Sequence, residues 1–153
     1  MVGRDTRAIA ENRRARHDYE VLERVEAGVV LTGSEVKSAR EGNVQLGQAY
    51  ADIRGGEAWL VGASIAEYPQ SGSFPHQPDR DRKLLLHRSE IDSLYGKVRE
   101  KGLTLVPMRM YFKDGRVKVE LALARGRERA DKRRVLAERD ARRQIERELK
   151  RRR

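Results

Sequence analysis

LTLVPMRMYFKDGRVKVELALA, residues 103–124, is the stretch whose reading decides the fold. Two extended runs, 103–112 and 116–124, flank Asp114-Gly115. An Asp-Gly pair supplies the two positive φ angles of a tight type I′ turn, so the stretch predicts an antiparallel hairpin. In the second run Val117, Val119, Leu121 and Leu123 alternate with Lys118, Glu120, Ala122 and Ala124. One apolar face and one partly charged face are what an antiparallel sheet with one side in water requires. Pro107 lacks a ladder donor and marks a bulge or an edge position.

Working outward, the sequence adds more strands and a few helices. Ser89 opens the clearest helix: Ile91, Leu94, Tyr95 and Val98 form one apolar stripe, and Gly102 suits the C-terminal cap. Residues 83–87 read as a short buried strand. Residues 49–53 and 58–65 flank Arg54-Gly55-Gly56-Glu57, a second hairpin. Pro69, Gly72, Pro75 and Pro78 make 69–82 a long exposed loop. Ser34 predicts the N-cap of a short helix over 35–40 that ends near Gly42. From Tyr19 the pattern is extended, with a bend expected near residues 26–28. Trp59 and Tyr95 are expected in the core. Short strands at this density predict a mainly β chain: a small, at least partly closed antiparallel β-barrel with two or three helices.

Charge divides the chain. Residues 125–153 hold 14 basic and 6 acidic residues, net +8, whereas the first 124 hold 20 and 18, net +2. Twelve of the 14 are Arg, whose planar fork of donors matches phosphate and stacks on bases. The expected organisation is a flexible N-terminus over 1–11, a barrel domain over 12–124 and a basic C-terminal tail over 125–153. Within the tail, Glu138–Arg142 and Glu146–Lys150 are favourable i,i+4 pairs, but Arg139, Arg143 and Arg147 repel at the same spacing. The tail is expected to be disordered alone and to order on a partner.

Two further basic clusters, residues 12–17 and 80–83, join the tail in pointing to a polyanion, with RNA as first candidate. Each taken singly has the bland reading of a solvated surface. Little chemistry competes with binding. There is no Cys, so disulfides, thiol catalysis and thiolate zinc sites are excluded. His17, His76 and His87 have no metal-binding spacing, and no metal or cofactor is expected. No phosphate-loop or nucleophile-elbow motif occurs, and no carboxylate pair stands out as catalytic. No run approaches the ~20 apolar residues that span a membrane, and no secretory signal is visible, so a cytoplasmic monomer is expected.

Four runs carry a resemblance: ENRRARHDYEVLERVEAGVVLTGSEVKSAREG (11–42), DRKLLLHRSEI (81–91), GKVREKGLTLVPMRMYFKDGRVKVELALARG (96–126) and DKR (131–133). Together they closely resemble the bacterial SsrA-binding (small protein B) family. The resemblance implies an oligonucleotide-binding-type β-barrel and an RNA-binding adaptor without catalytic residues. It implies two partners: the tRNA-like domain of transfer-messenger RNA and the stalled ribosome, where trans-translation tags the nascent chain. The positions it implies for RNA binding are Asn12, Arg13, Arg14, Arg16, His17, Glu26, Lys83 and Leu85. For the tail it implies Gly126, Asp131, Lys132 and Arg133, entering the vacant mRNA channel as a helix. The segment before them departs from the usual basic pattern: Glu128 replaces a Lys, and Ala130 offers no ring to stack. Two other readings compete. One is a ribosome-associated structural protein that binds only ribosomal RNA. The other is an RNA-processing enzyme, which the lack of a recognisable catalytic group disfavours.

Overall fold

Asp114 and Gly115 adopt φ of 53° and 76°, and the chain turns back on itself there. The strands they join are β8 (Thr104–Lys113) and β9 (Arg116–Gly126), paired antiparallel. The computed structural model describes residues 6–68, 76–127 and 129–151, without the side chains of 101 and 129–135. Pro107 sits at a bulge: the β8–β9 register shifts between Pro107 and Arg109. The bulge lets one edge of β8 serve two partners. Its C-terminal part pairs with β1 (Thr6–Glu11), and Leu105 pairs with Ala51 of β4 (Tyr50–Arg54).

The remaining strands complete a ring. β9 pairs with β2 (Tyr19–Val29), β2 with β7 (Arg82–Leu85), β7 with β5 (Glu57–Val61) and β5 with β4. The single pairing of Ala51 with Leu105 closes it, so the expected oligonucleotide-binding-type barrel is present and partly closed. A small second sheet joins β3 (Val44–Gln45) to β6 (Ser64–Ile65). The alternating face of β9 fills the ring, with Val119 and Leu121 fully buried beside Met110, Leu60 and Leu84. Gly55 and Gly56 take positive φ between β4 and β5, as a two-residue hairpin requires.

Several expectations are corrected. Residues 6–11 are not a loose terminus; their backbone satisfies the open edge of β8, a demand the side-chain pattern does not reveal. β2 runs through 26–28 without breaking, and its register irregularity falls between Val21 and Glu23. Ala122 and Ala124 do not face water. They are fully buried with Val106 and Met108 beneath Ala15 of α1 (Arg13–Asp18). Trp59 points outward because its neighbours Ala58 and Leu60 take the inward positions, and the Arg54 guanidinium lies 5.9 Å from its ring. In α3 (Arg88–Lys101) Ile91 and Leu94 are buried, but Tyr95 is 43% exposed and accepts from Arg99 Nη1 at 3.1 Å. The cap of α2 (Gly33–Arg40) is Thr32 rather than Ser34, in a reciprocal capping box with Glu35. Of the predicted 69–82 loop, residues 69–75 lie outside the described residues.

The capping carboxylate also holds the barrel wall. Glu35 and Arg82 are both fully buried, and Arg82 Nε donates to Glu35 Oε2 at 2.8 Å. Arg82 also donates to the carbonyls of Ala63 and Pro78, each at 2.8 Å. Arg80 forks onto both Glu35 oxygens, and the Thr32 N–H donates to Oε1 at 2.9 Å. The 80–83 cluster therefore turns largely inward. Burial alone pushes the Glu35 carboxyl up, but Arg80, the Thr32 N–H and Arg82 together hold it below its ordinary 4.5.

Removing one partner of a buried pair strands the other charge, at a cost of about 3–5 kcal/mol. Glu35→Gln is therefore expected to lower the melting temperature markedly at pH 7. The folded-state pKa is lowered, so the stability from Glu35 is complete above about 4.5 and is lost as pH falls through the folded value. Melting curves across that range should show a steeper acid loss in the parent than in the variant. Equal melting temperatures at pH 7 would remove the network from the account of stability.

Candidate nucleic-acid interface

The residues expected to meet RNA fall at two ends of one strand. Seven residue steps along β2 lead from Tyr19 to Glu26, roughly 23 Å of extended chain. At the first end stands α1. Asn12 caps it and is only 3% exposed. Its Nδ2 donates to the carbonyls of Pro107 at 2.9 Å and Leu46 at 3.1 Å, and its Oδ1 accepts the Ala15 N–H at 3.1 Å. The Asn12 side chain is thus committed to the protein, and what it does there is aim α1.

The other α1 residues face out. Arg13 is exposed with no side-chain partner among the described residues. Arg14 pairs with Asp18 at 3.3 Å, Arg16 with Glu11 at 3.9 Å, and His17 Nδ1 lies 2.9 Å from Asp18. Exposed pairs of this kind are worth about 0–1 kcal/mol, so phosphates can replace them at little cost. The tail springs from the same end. Gly126 pairs with Tyr19, and the Arg127 N–H donates to the Asp18 carbonyl at 2.8 Å. α4 (Arg129–Arg151) then leaves beside α1, with its described side chains exposed throughout, Leu136, Ile145 and Leu149 included. Asp131, Lys132 and Arg133 lie within α4, but their side chains are outside the described residues, as are Glu128 and the Ala130 side chain.

At the second end stand Glu26 and Leu85. Gly28 pairs with Leu85 across β2 and β7, and Leu85 is 55% exposed. Lys83 lies two residues before it on the outer face, 3.4 Å from Glu57. Glu26 accepts from the Tyr111 hydroxyl and lies 3.3 Å from Lys113 Nζ. It does not reach Arg16 or His17, which the length of β2 keeps at the far end. The hydrogen bond from Tyr111 leads the causes that hold Glu26 below its ordinary 4.5, against burial and with help from Lys113 and Lys118. Burial and the Glu26 carboxylate push the Tyr111 phenol up in turn.

Tyr111, Lys113 and Lys118 were not singled out from sequence. Their signal was the outward parity of β8 and β9, opposite Val117 and Val119. His76 is a structural residue. Nε2–H donates to the Ile65 carbonyl at 2.9 Å, which leaves Nδ1 to accept from the Ser34 hydroxyl at 2.8 Å. Among the described residues no group of His, Asp and Glu could hold a metal ion, and no helix is long and apolar enough to cross a membrane.

This arrangement has close relatives. The family model described as SmpB protein matches residues 9–151. The SsrA-binding protein of Anaeromyxobacter sp. (strain K) is 58% identical over 142 residues, 93% of this chain and 87% of that protein. The SsrA-binding protein of Mycolicibacterium smegmatis is 55% identical over 148 residues, 97% of this chain and 92% of its own length. Among solved structures, a chain from a study described as "tmRNA-SmpB: a journey to the center of the bacterial ribosome" superimposes with a TM-score of 0.67. It is 50% identical and covers 80% of this chain and 86% of its own. A partly closed barrel with two basic helices rooted at one end of its β2–β9 pair, matched over nearly its whole length, therefore belongs to the SmpB family of SsrA-binding proteins.

Proposed function

We propose that this protein is a cytoplasmic RNA-binding adaptor of ribosome rescue. The barrel binds the tRNA-like domain of transfer-messenger RNA, and the tail occupies the vacant mRNA channel of the stalled ribosome. The observation that carries the reading is the shared root of α1 and α4. One rigid barrel end holds an exposed Arg cluster and launches an Arg-rich helix that packs none of its described side chains on the barrel. Such a body grips one polyanion while it extends a second contact away from itself. The chain works as a monomer and without catalysis or cofactor. Identification of the RNA that co-purifies with the protein tests the reading directly. A single transfer-messenger species supports it, whereas ribosomal RNA alone favours the structural ribosome-associated protein.

The tail's proposed behaviour follows from its exposure. Leu136, Ile145 and Leu149 are 45%, 59% and 60% exposed, so no tertiary packing holds the described side chains of α4, those of 136–151. An isolated helix gains most of its stability from such packing. In the free protein α4 is therefore a fraying helix, and phosphates that neutralise Arg139, Arg143 and Arg147 complete it.

Three outcomes are expected. Truncation must follow Arg127, because β9 runs to Gly126 and the Arg127 N–H is bonded to α1. That shortened protein is expected to keep most of its affinity for a tRNA-like-domain transcript and to lose tagging in reconstituted translation; joint loss of both would refute the division of labour. Replacing Arg13, Arg14 and Arg16 together by Gln should flatten the slope of log K against log [salt] by roughly 2, at ~0.7 per single-strand phosphate contact. An unchanged slope in filter-binding titrations would place the phosphate contacts elsewhere. Finally, the charge-neutral swap Asp131→Lys with Lys132→Asp is expected to impair tagging while RNA binding persists. Full tagging from the swap would make the tail a generic polycation.

A further inference from the structure

The exposure of Tyr95 on α3 is explained neither by the barrel core nor by RNA contact. The core side of α3 is Ile91, Leu94 and Val98. At 3.6 residues per turn Arg88, Asp92, Tyr95, Gly96 and Arg99 share the neighbouring flank, which holds none of the residues expected to meet RNA. Tyr95 and Ile91 join Ile53 and the Gly55-Gly56 turn of the β4–β5 hairpin around a groove of about 250 Å³. This is below the ~300–1,000 Å³ of small-molecule pockets and suits one bulky apolar side chain. Ile91 is buried and Ile53 partly so, which makes the floor apolar.

The rim of the groove has one cation to spare. Arg99 Nη1 donates to the Tyr95 hydroxyl at 3.1 Å, and its guanidinium lies 5.5 Å from the Tyr95 ring. Among the described residues Arg99 pairs with no carboxylate. Arg88 and Asp92, 3.6 Å apart and both largely exposed, take up each other's charge. Gly96 adds a second oddity. Glycine weakens a helix relative to Ala. Here its φ is not positive, and no other described part of the chain comes within 4 Å of where its Cβ would stand. Neither turn geometry nor packing within this chain calls for a glycine. On an outer helix face it leaves bare backbone that a second chain can approach closely.

We propose that this flank of α3 docks a helix of a partner protein, which seats one Leu-sized side chain in the groove, lays its backbone on Gly96 and brings a carboxylate to Arg99. The charge pattern selects a protein over a nucleic acid. A phosphate backbone calls for several free cations, whereas this flank offers one, beside the Asp92 carboxylate and an apolar floor. Exposed Tyr and Arg around such a floor are the residue types enriched at protein interfaces. Tyr95 and Arg99 stand one turn apart, so a Leu and a Glu one turn apart on the partner match them. The proposal goes beyond the adaptor reading and does not depend on it.

The test titrates the full-length protein with a blocked helical peptide of Ala and Gln that carries one Leu and, one turn later, one Glu. NMR follows the backbone amides of Gly56, Tyr95, Gly96 and Arg99, which separates this flank from the basic tail. Saturable shifts at these amides are expected. Replacing the peptide's Leu by Ala should weaken binding about tenfold or more, the worth of a buried Leu side chain. Arg99→Gln should weaken the parent peptide severalfold and leave a peptide with Gln in place of Glu unaffected. Gly96→Ala separates docking from structure: it should raise the melting temperature, because Ala favours a helix, yet weaken the peptide severalfold. Should that variant lose its fold, the exposed Arg99→Gln still decides. Binding of a tRNA-like-domain transcript should be unchanged in both variants. Absent shifts, equal binding of the Leu and Ala peptides, or undiminished binding by Gly96→Ala overturns the proposal. So do matching shifts with oligouridylate, which would give the flank to RNA, or on dilution of the protein alone, which would give it to a second copy.

Discussion

The long pairing of β2 with β9, from Tyr19–Gly126 to Gly28–Lys118, sets the geometry on which the rest depends. One end of this ladder carries α1 and releases the tail. The other end carries Glu26, Gly28 and the approach to Leu85. Because a strand rises about 3.3 Å per residue and its hydrogen bonds tolerate little slip, the two ends are held a fixed distance apart. A one-residue shift would send Val119 and Leu121 to the surface and Lys118 and Glu120 into the core. The hydrophobic core thus enforces the register, and the register sets the spacing of the two outer surfaces.

Charge has a different job in each layer. Inside, Glu35, Arg80 and Arg82 form a desolvated network in which each buried donor and acceptor has a partner, and it ties α2 to β7 and to the 76–81 turn. On the barrel surface, charges pair across strands, Arg24 and Arg109 with Glu120 and Arg125 with Glu20, and from helix to strand, Lys97 with Glu23. These pairs explain how a body of net +2 can still offer cations, since each exposed pair exchanges readily with phosphate. In α4 the described charges, those of 136–151, have no such compensation from the barrel.

The two ends of β2 also differ in chemical character. The α1 end offers guanidinium groups on a short, capped helix, suited to backbone phosphates of varied geometry. The Glu26 end offers one carboxylate held by Tyr111, a bare glycine and an exposed Leu.

The hairpin of residues 103–124 was legible from sequence because Asp114-Gly115 and the alternation of Val117, Val119, Leu121 and Leu123 are local signals. So were the bulge at Pro107, the Gly102 cap that ends α3 and the split between a balanced body and an Arg-rich tail, whereas α3 starts from a His87 cap rather than from Ser89. Other features depend on what lies across space. The Arg80–Arg82 run looked solvated until α2 brought Glu35 against it. Asn12, expected from the resemblance to meet RNA, is instead committed to the carbonyls of Leu46 and Pro107. Residues 6–11 have no side-chain period, and only the open edge of β8 makes them a strand. Tyr111 became meaningful only when β2 placed Glu26 beside it. Local propensity and periodicity report on neighbours a few residues away, so the sequence determined the elements, the inward faces and the charge division. Pairings between residues 11 to 105 positions apart decided which charges are buried, which are free and which residues stand together.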